Sequence, residues 1–140
     1  MKIKYLITFI SFVSIGLLSF TTLNSNTIDT STCLKKVDSK WGDVCIDCVE
    51  YKGGKRIYDD TYKAFLVNTC TEKIVVKLAF QEADGSWRCF EPKVLAPKDT
   101  IIGFACKSTK GKYLKWIRAE NDHETTFPTN KEINDQHKDE

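Results

Sequence analysis

Ile74-Val75-Val76-Lys77-Leu78-Ala79-Phe80 alternates its large apolar side chains: Ile74, Val76, Leu78 and Phe80 fall on one face of an extended chain. The run is β-branched and aromatic, too short for a buried helix, and bounded by polar residues, so it reads as a core strand. The same period of two recurs in Thr100 to Cys106, with Ile102, Phe104 and Cys106 together, and in Tyr113 to Ala119, with Leu114 and Trp116 together. Val44 to Tyr51 and Tyr62 to Val67 alternate less cleanly but have strand composition. Turn signals separate these runs: Gly53-Gly54, Asp84-Gly85 and Lys110-Gly111, with a looser bend at Pro97-Lys98-Asp99. The spacing predicts about seven strands, centred near residues 47, 57, 65, 77, 88, 103 and 116. No window carries a helical stripe with caps. The fold expected is all-β: a single antiparallel β-sandwich or small barrel, reinforced by disulfides.

Outward from this unit the chain changes character. Met1-Lys2-Ile3-Lys4 is a short basic start, and Tyr5 to Phe20 is an apolar run followed by small and polar residues. That layout predicts a signal peptide over residues 1–21. Sixteen residues of helix reach about 24 Å, short of a hydrocarbon core of about 30 Å, so no membrane span is expected after cleavage. Residues 22–32 are rich in Thr, Ser and Asn and read as a linker, which leaves residues 33–120 as the β-sandwich domain. Residues 121–140 carry six acids against two lysines, with Phe127 and Ile133 as the only large apolar side chains, and read as a mobile acidic tail.

Export gives the six cysteines their meaning. In a secreted or periplasmic protein Cys33, Cys45, Cys48, Cys70, Cys89 and Cys106 are expected in disulfides, with fifteen pairings open. The series Leu66-Val67-Asn68-Thr69-Cys70, Gly85-Ser86-Trp87, Leu95-Ala96-Pro97 and Gly111-Lys112-Tyr113, spread over about half the chain, resembles small exported bacterial β-sandwich domains of unknown function. The resemblance implies the fold and no activity.

Catalytic constellations are sparse. Cys45-Ile46-Asp47-Cys48 has the spacing of a thiol oxidoreductase motif, but a strand through it would point the two sulfurs to opposite faces about 10 Å apart, beyond disulfide reach. His123 and His137, the only histidines, lie in the predicted tail, which argues against Ser–His or Cys–His nucleophiles and against a Cys/His zinc site. The acids Asp47, Asp59, Asp60, Glu82, Asp84 and Glu91 offer no pair marked out for glycoside hydrolysis, and Gly53-Gly54 lacks the helix a phosphate loop needs. No metal and no cofactor is expected. Trp87 and Trp116 share strand faces with Cys89 and Leu114 and read as core, whereas Trp41 reads as exposed.

Formal charge is +2, and removal of Lys2 and Lys4 with the leader leaves a neutral chain, so nucleic acid is not an expected partner. Charge is nevertheless uneven: residues 61–120 hold eleven basic against six acidic side chains. Lys107, Lys110, Lys112, Lys115 and Arg118 crowd one predicted hairpin around Tyr113, which marks these six residues as a candidate binding surface for an anionic ligand, or else as an edge kept soluble by lysine. The function expected is an exported non-catalytic binding or interaction module with an unknown protein or anionic surface ligand as partner, acting as an inhibitor of, or protective factor against, another secreted protein. The alternative is a thiol–disulfide oxidoreductase using Cys45 and Cys48.

Overall fold

A computed structural model describes residues 29–48 and 50–138. The predicted signal peptide and most of the predicted linker lie outside the described residues. After a single 3-10 turn, Thr30–Thr32, come nine strands and one helix: Leu34–Trp41 (β1), Glu50–Lys52 (β2), Lys55–Ile57 (β3), Tyr62–Asn68 (β4), Ile74–Gln81 (β5), Trp87–Cys89 (β6), Lys93–Leu95 (β7), Thr100–Ala105 (β8), Tyr113–Ala119 (β9) and Asn130–His137 (α1). One sheet has the order β1-β4-β8. The other is built on β5, with β6 and β7 along one side and β9 along the other, and β2-β3 is a separate hairpin. Every pairing is antiparallel. The architecture is an all-β, two-sheet sandwich; no closed barrel forms.

The core lies between the sheets. Ile74, Val76, Leu78 and Phe80 of β5 are completely buried and meet Leu34 of β1, Tyr62, Ala64 and Leu66 of β4, Leu95, and Ile101 and Ala105 of β8. Each fully buried large side chain of this kind contributes about 1.5–3 kcal/mol. The alternation read from β5 therefore holds. That of β8 is inverted: Ile101, Gly103 and Ala105 face inward, whereas Ile102 stands 49% exposed. The reason is room. A Cβ on Gly103 would lie 2.0 Å from Cε2 of Phe80, so the Phe80 ring occupies the space a side chain would need there. With Phe80 filling the middle of the core, β8 places the small Gly103 and Ala105 beside it and turns Ile102 outward.

Two strands escape the alternation test. Only Leu34 of β1 is buried, because β1 is a sheet edge and leaves most of its side chains in water; β7 is three residues long. Conversely, residues 44–48, expected within a strand, form a loop and turn.

The larger departure is at the C-terminus. The segment read as a mobile acidic tail forms α1 and covers the outer face of β5. Thr129 and Glu132 make a reciprocal capping box: the Glu132 amide donates to Thr129 Oγ1 (3.2 Å), and the Thr129 amide donates to the Glu132 carboxylate (2.7 Å). The same bond holds the Glu132 carboxyl below its ordinary range. Ile133 is fully buried against Ala79 and Trp87, with Cys89, Leu114 and Trp116 around them. Asn134 accepts from the Trp87 amide (2.8 Å) and donates to the Trp87 carbonyl (3.2 Å), so its amide finishes the ladder that β6 leaves open. His137, read as a solvated tail residue, accepts from Trp87 Nε1 at its carbonyl (2.9 Å). Lys77, on the outer face of β5, is only 6% exposed and donates to the Pro128 carbonyl (2.8 Å) and Asn130 Oδ1 (2.9 Å). No helix among the described residues is long and apolar enough to cross a membrane.

Two outcomes follow for stability. Gly103→Ala is expected to lower unfolding free energy by about 1–3 kcal/mol through overpacking. In urea titrations the double variant with Phe80→Leu should lose less than the sum of the two single variants. Ile133→Ala is expected to cost about 2–4 kcal/mol and Thr129→Ala about 1 kcal/mol; if the segment were a free tail, neither would move the midpoint.

Candidate functional site

The residues that the sequence groups by position are regrouped by topology. β8 pairs with β4 and β9 pairs with β5, so residues 106–112 are a crossover between the sheets and not the tip of a hairpin. Its turn settles on aromatic rings: Gly111 has φ +63°, and a Cβ there would lie 2.9 Å from Tyr62 Cε2 and 3.2 Å from Trp41 Cζ2. Only glycine combines that backbone with so close an approach. The turn is tied below by the buried Ser108, whose hydroxyl accepts from the Gly111 amide (3.1 Å) and whose amide donates to the Asp60 carbonyl (2.9 Å).

β1 and β9 thereby become neighbouring edges on one side of the sandwich. Lys115 Nζ crosses from β9 to donate to the Leu34 carbonyl (2.6 Å). Lys36 crosses the other way: its ammonium lies 5.8 Å from the centre of the Tyr113 ring and donates to Tyr62 Oη at 3.5 Å. Tyr113 is stacked on Phe80 (centroids 5.5 Å), and Tyr62 carries Trp41 (centroids 4.8 Å). A line of rings thus runs from the core out to Trp41, which is 49% exposed, as the sequence suggests. Val44 and Ile46 follow it in the loop, 60% and 81% exposed. Lys36 donates to Tyr62, Lys110 and Lys112 flank the Gly111 that lies against Tyr62 and Trp41, and Lys40 rests over Phe65 on the other face of the sheet.

Of the six residues singled out in the sequence, Lys110, Lys112 and Tyr113 come together here. Lys115 is held by Leu34. Arg118 donates to the Asp122 carbonyl and packs its guanidinium 5.6 Å from the Phe127 ring centre, toward the C-terminal segment. The Lys107 amide is fixed to the Glu82 carboxylate (2.7 Å). The contribution of β1 was missed because β1 was not read as a strand; the signal available was Lys35, Lys36 and Lys40 between Leu34 and Trp41.

The acids serve the frame. Glu82 pairs with Arg88 (2.6 Å) and accepts the amides of Cys106 (3.2 Å) and Lys107. Asp84 accepts the amide and hydroxyl of Ser86, which hold its carboxyl below the ordinary range and form the turn before β6. Lys63 holds the Asp43 carboxyl down in the same way, at 3.1 Å, and also binds the Val44 carbonyl, fixing the start of the exposed loop.

Four cysteines form disulfides, Cys33–Cys70 and Cys48–Cys106. The expectation of six bonded cysteines is corrected: Cys45 and Cys89 are free. Burial pushes the Cys89 thiol up, against the Lys77 charge. The strand geometry expected at Cys45 and Cys48 is corrected too. The Cys48 amide donates to the Cys45 carbonyl (3.1 Å), which makes the segment a turn and brings both residues to the same place.

No family model, curated protein or solved structure matches the chain. Thiol titration of the unfolded protein should give two free thiols per chain without reductant and six after reduction.

Proposed function

We propose that the protein is an exported, non-catalytic binding module, secreted or periplasmic, whose β1–β9 edge docks on the acidic face of another exported protein and acts there as an inhibitor or protective factor. The observation that carries this reading is the half-exposed Trp41, resting on Tyr62 and against Gly111, with Lys110 and Lys112 flanking that glycine, Lys36 donating to Tyr62, and the exposed Val44 and Ile46 following in the chain. An apolar aromatic centre within a charged rim is the anatomy of a protein-binding hot spot. The rim charges would steer an acidic partner into register, while the rings supply the desolvated contact. A purely anionic glycan or lipid head group would use the lysines and leave Val44 and Ile46 without a role. Two disulfides suit an oxidising compartment and fit the export reading.

The test places a photo-cross-linking amino acid at Val44 and irradiates the exporting cells. One discrete protein adduct is expected, and it should disappear when Lys110→Glu and Lys112→Glu are added with an unchanged melting temperature. Trp41→Ala should weaken binding of the adducted partner at least about thirtyfold, the loss of about 2 kcal/mol that marks a hot spot. The absence of an adduct, or one that survives charge reversal, would overturn the reading.

A further inference from the structure

Cys45, Cys48 and Cys106 meet beside the end of β8. The turn closed by the Cys48 amide on the Cys45 carbonyl, 3.1 Å, holds the first and last Cα atoms within about 7 Å. That separation is one a disulfide bridges. Cys48 is already bonded to Cys106, with Cα atoms 5.0 Å apart, and Cys106 Sγ lies 3.8 Å from the Asp47 carbonyl oxygen, so the bridge rests against the same turn. Cys45, 5% exposed, carries a free thiol three residues from the bonded sulfur of Cys48. One thiol and one disulfide thus share a single tight loop.

We infer that these three cysteines form a thiol–disulfide exchange site in which Cys48 changes partner. Cys45 gives up its proton to solvent and its thiolate attacks Sγ of Cys48. The Cys45–Cys48 bond forms, the Cys48–Cys106 bond breaks, and the electron pair leaves with the Cys106 sulfur, which takes up a proton. One thiol and one disulfide enter and the same leave, so no external oxidant or reductant is consumed.

The two ends of the broken bridge differ in what else holds them. Cys106 stays in place, because its amide donates to Glu82 (3.2 Å) and its carbonyl accepts from the Thr61 hydroxyl (3.3 Å). Apart from the bridge, the loop carrying Val44 and Ile46 is held at its start, by the Gly42 amide on the Thr61 carbonyl (2.9 Å) and by the Lys63 clamp at Asp43 and Val44. Exchange replaces a bridge spanning 58 residues by one closing on itself, so the loop comes away from β8. A buried thiol is traded for a half-buried one at Cys106, open to a disulfide on another protein. The exchange is read out without any ligand, so its failure is separate from failure of the binding proposal.

The experiment uses the full secreted chain with Cys89→Ser, held at pH 8 and labelled with N-ethylmaleimide under native conditions. Acid quenching and non-reducing digestion then allow the thiols and bridges to be mapped by mass spectrometry. The expected result is label on Cys106 together with a Cys45–Cys48 linked peptide, both lost in Cys45→Ser, while Cys33–Cys70 persists. If Cys48–Cys106 remains the sole bridge of that pair over hours, whether or not Cys45 is labelled, the inference is overturned. Label on Cys106 that persists in Cys45→Ser would overturn it equally, since the bridge would then be opening by another route.

Discussion

Phe80 fills the space that Gly103 leaves empty, and the spacing of the two sheets depends on that contact. The ring also touches Tyr62, Phe90 and Tyr113, so a single side chain from β5 reaches strands of both sheets. Because it occupies the centre, β8 turns Gly103 and Ala105 inward and Ile102 outward, and β4 offers Ala64 and Leu66 on the same side. Sheet packing follows volume here before it follows hydrophobicity.

β5 is buried from Ile74 to Phe80 on both faces, and only one of those faces belongs to the sandwich core. The other would expose Val75, Lys77 and Ala79 if the chain ended at β9. The C-terminal segment closes it with one buried isoleucine, a capped helix and the amide of Asn134 against β6. Lys77 is tolerated inside this layer because Pro128 and Asn130 supply oxygens to its ammonium; a buried cation without acceptors would be too costly. The helix thus finishes the second sheet twice, on its face and at its β6 edge.

The opposite side of the molecule is left open. There the edges β1 and β9 meet without strand pairing, and lysines stitch them: Lys115 to the Leu34 carbonyl, Lys36 over Tyr113. Like charges gather because each finds a ring or carbonyl to rest on, and the crossover at 106–112 adds Lys110 and Lys112 to the same border. Such an edge resists strand addition by another chain. Beside it, the loop from Gly42 to Cys48 is tied by the Gly42 amide to Thr61, by Lys63 to Asp43 and Val44, and by the Cys48–Cys106 disulfide, and it displays Val44 and Ile46 in water.

The sequence by itself determined the all-β class, the core face of β5, the turn glycines and the exposure of Trp41, because period-two patterning and turn chemistry are local properties. It also held the Thr129–Glu132 capping box, legible by spacing but masked by the acidic composition around it. It did not determine β1, whose pattern is that of an edge with one buried residue, nor the inverted face of β8, since Ile101 and Ile102 are equal candidates until Phe80 is in place. Which cysteines bond, which lysines share a border, and what covers Lys77 were decided by tertiary structure alone. Each depends on elements far apart in the chain being brought together, and no local periodicity encodes that meeting.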